Sequence, residues 1–311
     1  MYRILYILSI SYNSHYVKWE SKRKISNTIN PRSDTLSLYK KGNRRNIMFV
    51  FEIIVPGTWL DYEDSDWTWK IQNQLYSLQS QFFEANLALN LFISAQTSRS
   101  HSFSKDTWDA DSKRRREISE MLEQEYIKQG KNYWESHEEI SLQTDIILKR
   151  EKWQQGAIPR EFEHNLAFLY ARAFLYALDA FDKFLGVLSR EENVPEVISE
   201  LHKKISDIFP DLRGVRNTAQ HLEDRSRGLG AGRNPKPLDL KPIDNNFISA
   251  PNGGALVLNS LNGSKYGSTM ADGHYGEVDV CPESMSHLQE ILNNILGAFK
   301  WHGPKQHKPS V

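Results

Sequence analysis

REFEHNLAFLYARAFLYALDAFDKFLGVL, residues 160–188, is the most apolar helical stretch of the chain. Pro159 stands just ahead of it, where a missing N–H and a fixed φ suit the first turn of a helix. Phe162, Leu166, Phe168, Leu169, Phe174, Leu175, Leu178, Phe181, Phe184 and Leu185 point nearly all round the axis. A helix that is apolar on every side must be surrounded by others, so this one is expected at the centre of a helical bundle. Arg172 and Asp179 interrupt it. They are seven apart and share a face. Buried charges need partners, and an internal Arg172–Asp179 ion pair is the expected arrangement. The other role open to Asp179 is to orient Arg216 or His221.

Helical periodicity extends to both sides. Leu75, Leu78, Phe82, Ala85, Leu89 and Phe92 step by three and four, which predicts a helix from Trp69 to about Gln96. A polar loop, 97–105, precedes a helix capped by Asp106 or Thr107 and broken by Gly130. Another helix is expected over 133–153. Pro195 opens a shorter helix to Ile208, and Asp211 opens one that runs on to Arg227. Gly228, Gly230, Gly232, Pro235 and Pro237 then form a linker. Strands are expected at 247–248, 255–258, 265–270 and 275–280, separated by Pro251-Asn252-Gly253-Gly254, Asn262-Gly263 and Asp272-Gly273. Residues 284–299 return to helix. The expected fold is mainly α: a helical bundle of residues 67–227 and 283–300, with a linker and small antiparallel β-meander at 228–282 inserted before the last helix. Residues 48–66 read as an arm or loop and 301–311 as a polar tail.

The first 47 residues have a different texture. Arg3 followed by Ile4-Leu5-Tyr6-Ile7-Leu8 imitates the start of a signal peptide, but the apolar run is short and no small-residue cleavage site follows. Arg44-Arg45 precede Met48 at a spacing that fits a ribosome-binding site read as codons. Translation is therefore expected to start at Met48, leaving residues 1–47 as a gene-model extension; the alternative is a disordered basic tail. Of 311 residues, 39 are basic and 39 acidic, so no global field draws the protein to nucleic acid or to an anionic membrane. Cys281 is the single cysteine, which excludes an internal disulfide and fits a reducing cytoplasm. No run of about twenty apolar residues is present, so no membrane contact is expected. His164, His274 and His287 lack metal-ligand spacing with nearby acids, so neither a metal nor a cofactor is expected.

Arg216-Asn217-Thr218-Ala219-Gln220-His221 carries the chemistry. An imidazole can act as base or acid near neutral pH. A guanidinium can bind the non-bridging oxygens of a phosphodiester and stabilise charge developing there. Asn217, His221 and Arg225 fall four apart on one helical face. Arg216 lies about 140° round the axis from His221, so it must reach across or meet the histidine of a second subunit. Arg213, Arg225, Arg227 and Arg233 flank the motif as candidate phosphate ligands. The bland reading is a surface pair of Arg216 with Glu223 or Asp224. Lys113 to Arg116 reads as solvated helix surface. The meander that follows the motif helix is expected to act as a lid or a docking plate.

The motif and its helical setting resemble the HEPN superfamily, small helical bundles among which many are metal-independent ribonucleases. Arg216 corresponds to the family arginine, Asn217 to the polar residue after it, and His221 to the family histidine. The resemblance implies catalysis by Arg216, Asn217 and His221 and a homodimer in which two motifs build one composite site. It also implies RNA or a nucleotide as ligand, a toxin or host-defence role, and a protein antitoxin or other partner. The other function open to such a bundle is non-catalytic binding of nucleotide, RNA or protein. Glu223 stands where some family toxins carry a modifiable tyrosine, so that mode of neutralisation is not supported.

Overall fold

The computed structural model describes residues 48–98 and 105–310; the expectations for residues 1–47, and for most of the 97–105 loop, lie outside them. The architecture is mainly helical with small antiparallel sheets. The chain divides into two compact units, residues 93–167 and the remainder, with the boundaries falling inside two long helices, α1 (Ser65–Ser98) and α4 (Arg160–Leu188). The single bundle expected over 67–227 is therefore split. Among the described residues, no helix is long and apolar enough to cross a membrane.

The smaller unit is built on an antiparallel pair, α2 (Lys105–Lys128) and α3 (Tyr133–Gln154). Gly130 takes a φ of 75° to end α2, and the Asn132 side chain accepts from Trp134 N at 3.1 Å to start α3. Ile118, Leu122, Tyr126 and Ile140 form its core. The basic run of α2 is not merely solvated: Arg114 bonds Glu151 at 2.8 Å, and Arg115 pairs with Asp145, both on α3.

The larger unit buries the predicted stripe of α1, from Leu75 through Leu78, Phe82, Ala85 and Leu89 to Phe92, together with Ile71 one turn ahead of it. In α4 the burial is one-sided. Phe174, Leu175, Leu178, Phe181 and Leu185 are fully buried, whereas Leu169 is 52% exposed, so α4 is not enclosed all round. α5 (Val197–Ile208), α6 (Leu212–Gln220), α7 (Leu222–Ser226) and α8 (Pro282–Gly297) complete the helices. The α8 stripe Met285, Leu288, Ile291, Leu292 and Ile295 is buried, and its proline occupies the first turn.

Both ends of the described chain are ordered into this unit. β1 (Ile53–Val55) pairs antiparallel with β9 (Gln306–Lys308), and β2 (Trp59–Leu60) with β8 (Trp301–His302). Residues 301–302 and 306–308 are thus strands and not a loose tail. A Cβ on Gly57 would lie 2.5 Å from the His302 carbonyl oxygen, which explains glycine between the two ladders. The arm of residues 49–60 lies against amide side chains of α1. Gln72 donates to Thr58 O at 2.8 Å and accepts from Leu60 N at 3.0 Å. Asn86 donates to Phe49 O at 2.8 Å and accepts from Phe51 N at 3.3 Å. Asn90 accepts from Phe49 N and donates to Phe49 O, each at 2.8 Å. These amides recur at helical spacing and satisfy backbone groups that burial would otherwise leave unpaired.

The meander is β5 (Ser260–Asn262), β6 (Lys265–Thr269) and β7 (Tyr275–Asp279), in that order. Gly263 takes the positive φ, 60°, that the first tight turn needs, and Gly273 does so at 88° in the second. Residues 255–258 are not a strand. Instead Val257 O accepts from Thr269 N at 2.7 Å, and Val257 N donates to the Thr269 hydroxyl at 2.9 Å, a side chain standing in for one half of a ladder pair. The expected 247–248 strand lies slightly later: β3 (Ile243–Asp244) pairs with β4 (Ser249–Ala250).

The amide clamp predicts that Asn86→Ala leaves the Phe51 amide unpaired and costs about 1–3 kcal/mol. Urea unfolding reads the loss, and hydrogen exchange should place it in residues 49–60; unchanged exchange there would refute the clamp.

Candidate functional site

α6 is held on two sides. Gly214 and Thr218, four apart, face the meander: a Cβ on Gly214 would lie 2.1 Å from Met270 Sδ, and the Thr218 hydroxyl donates to Thr269 O at 3.1 Å. Asp211, just ahead of α6, accepts from Glu277 N at 3.1 Å. The sheet therefore supports α6 from behind and is not a lid. Arg213, Arg216 and Asn217 occupy another face and line a cleft of about 470 Å³. α4 contributes Asp179, Asp182, Lys183 and Gly186 to the same cleft, at the three- and four-residue steps of one helical face, with Arg190 just beyond its end. α5 contributes His202.

Arg216 anchors the floor. Its side chain is only 10% exposed; Nη2 lies 2.8 Å from Asp179 Oδ1, and Nη1 donates to Gln220 Oε1 at 2.7 Å. Its Nε–H is buried without a partner among the described residues. Lys183 Nζ reaches the other Asp179 oxygen at 2.7 Å. Asp179 thus pairs with Arg216 and Lys183, and not with Arg172. That arginine donates instead to Asn259 Oδ1 at 3.1 Å, beside the meander. The bland surface pair of Arg216 with Glu223 or Asp224 is absent too.

A second pair lies beside the first. His202 Nε2 is 3.2 Å from Asp182 Oδ1. The contact has ion-pair reach but lacks hydrogen-bond alignment, so this buried oxygen retains an open acceptor site. Burial, with smaller help from Asp179, pushes the Asp182 carboxyl above its ordinary range, while His202 and Arg213 oppose the shift. The imidazole edge rests on Gly186, where any Cβ would lie 2.9 Å from both Cε1 and Nε2. Glycine inside a helix costs about 1 kcal/mol against alanine; here it makes room for the ring.

The motif histidine sits elsewhere. α6 ends at Gln220, and His221 is the junction residue before α7, with φ −124° and ψ 44°. The expected continuous helix to Arg227 is therefore broken, and Asn217, His221 and Arg225 do not share a face. The His221 imidazole is 57% exposed, with Nδ1 3.6 Å from Glu223 Oε1. Donor atoms of His221, Glu223 and Asp224 lie within 4.8 Å of one another, the one candidate metal-holding group among the described residues. Asp224 is already bonded by Arg227 at 2.5 Å.

The expected phosphate patch divides as well. Arg213 lines the cleft and is exposed. Arg225 is buried and donates to the carbonyls of Leu229 and Gly230, each at 2.6 Å, so it ties down the glycine-rich linker and is not offered to a ligand. Arg227 is exposed beside Asp224, outside the cleft. Asp182, Lys183, Arg190 and His202 were not singled out from the sequence. A readable signal existed in Asp179, Asp182 and Gly186, three interruptions on one face of an apolar helix.

The Arg216–Asp179 pair gives a stability prediction. Asp179→Leu should cost about 3 kcal/mol, because it strands a buried guanidinium. Adding Arg216→Met should recover most of that loss in urea unfolding; additive losses would show that the two do not act as a pair. Compared with known proteins, the chain matches no protein-family model, no curated protein and no solved structure.

Proposed function

We propose that this protein is a HEPN-like, metal-independent endoribonuclease that seats an RNA phosphate in the Arg216 cleft, with a toxin or host-defence role. The observation that carries the reading is the charge of the cleft: Lys183, Arg190, Arg213 and Arg216 against Asp179 and Asp182. Four cations facing two carboxylates favour an anionic ligand, and local clusters of this kind supply most of the affinity for a nucleic-acid backbone. Arg216 suits the transition state. Asp179 fixes its plane, and its remaining N–H groups can donate to the non-bridging oxygens as charge builds there. Attack by a ribose 2′-hydroxyl would leave a cyclic phosphate and a free 5′-hydroxyl. By the resemblance the imidazole would be that of His221, but this residue stands exposed at the end of α6 and does not line the cleft.

A second reading is a non-catalytic RNA- or nucleotide-binding module. It is favoured by the two bonds that already occupy the terminal nitrogens of Arg216, which leave its charge largely compensated.

Cleavage of single-stranded RNA with a chelator present separates the two. Arg216→Lys retains the charge but loses the planar fork, and it should lower the rate about 100-fold or more. Binding without cleavage by the wild type would establish the second reading. In either case Arg213→Ala and Arg190→Ala should each weaken RNA binding and reduce its salt dependence by about one ion.

A further inference from the structure

We propose that the imidazole of this site is His202, held by Asp182 and seated on Gly186, and that His221 takes no part in proton transfer. The proposal rests on the ribonuclease reading above and deepens it: the acid–base group and the phosphate clamp then belong to one protomer.

Three observations carry it. First, His202 and Arg216 line the same cleft, whereas His221 does not line it. Second, His202 is positioned from two sides. Nε2 faces Asp182 Oδ1 at 3.2 Å, and the ring edge packs on the bare backbone of Gly186. A carboxylate beside one ring nitrogen favours the charge that the ring gains on taking a proton and leaves the other nitrogen as the base. No hydrogen bond among the described residues engages Nδ1, and the side chain is 32% exposed, so a substrate can reach it. Third, Asp182 Oδ1, the oxygen that faces His202, is buried without an aligned hydrogen bond among the described residues, although the side chain as a whole is partly exposed, so it gains most when the ring becomes cationic. His221 has none of this support: its exposed ring meets only the exposed Glu223 at 3.6 Å.

His202 Nδ1 takes the proton of the 2′-hydroxyl; the 2′-oxygen bonds to phosphorus; the bond from phosphorus to the 5′-oxygen breaks; and that oxygen takes a proton from water. The products are a 2′,3′-cyclic phosphate and a 5′-hydroxyl. Arg216 donates to the non-bridging oxygens throughout, and Asp182 holds the imidazolium until it returns its proton to solvent. No oxidant, reductant or further reactant is needed.

The test uses the full chain and single-stranded RNA, with folding followed by circular dichroism. His202→Ala should lower cleavage about 100-fold or more, and free imidazole, which fits the space left beside Gly186, should restore much of it. His221→Ala should cleave within a few-fold of wild type. Gly186→Ala provides a second variant that favours the helix: its methyl displaces the ring, and cleavage should fall although helicity is kept. Loss on His221→Ala with retention on His202→Ala overturns the proposal, as does a His202→Ala loss that imidazole does not restore. A wild type that binds RNA but cleaves none overturns the ribonuclease reading and this assignment with it. Cleavage that survives both His202→Ala and Gly186→Ala sinks the assignment alone.

Discussion

The ion pair between Arg216 and Asp179 is the constraint on which the site depends. Two groups of opposite charge, each about nine-tenths withdrawn from water, must stay together, because either one left alone in that position is costly. The pair therefore fixes where α6 meets α4. The meander fixes the other side of α6 through Gly214 and Thr218. A short helix of nine residues could not hold its own geometry in water. Clamped between a salt bridge and a sheet, it presents Arg213, Arg216 and Asn217 at set positions.

The same clamp explains why the motif residues separate. Arg216 is drawn inward by Asp179, while His221 terminates the helix and turns to solvent. Arg225, one turn later, is drawn into a different task, closing the linker by two carbonyl contacts. Residues that share a row on an ideal helix need not share a surface when the helix breaks between them. Two carboxylates of α4 then organise the cleft, one bound to the guanidinium and one facing the imidazole.

Much of the helical order was legible from periodicity. The stripe from Leu75 to Phe92 and the bounds of α4 follow from apolar residues at helical spacing, and the glycines at 263 and 273 mark both turns of the meander. Polar side chains that replace backbone partners were not legible. Asn86, Asn90 and Gln72 look like ordinary surface residues of a helix until the arm is placed against them. Likewise Trp301 to Lys308 has no strand pattern of its own; it is extended because β1 and β2 offer it open edges. In the site, Arg216 was readable as a motif member, and of the two roles open to Asp179 the structure shows the pairing with Arg216 and not the one with Arg172. Arg172 and Asp179 do share a face, yet the cations that reach Asp179 are Lys183, one turn along α4, and Arg216 from α6. His202 gave no signal because its significance lies wholly in contacts made by distant segments.

The pairing of Ile53 with Lys308 has a consequence for biosynthesis. The α2–α3 pair joins neighbouring segments, so its contacts close small loops and can form while the ribosome is still translating. The larger unit cannot finish then. Its first strand must wait, with one edge unsatisfied, until residues 306–308 have emerged. Until that moment the arm of residues 49–60 is a nascent segment in need of protection, and the α1 amides are the groups nearest in sequence that can hold it.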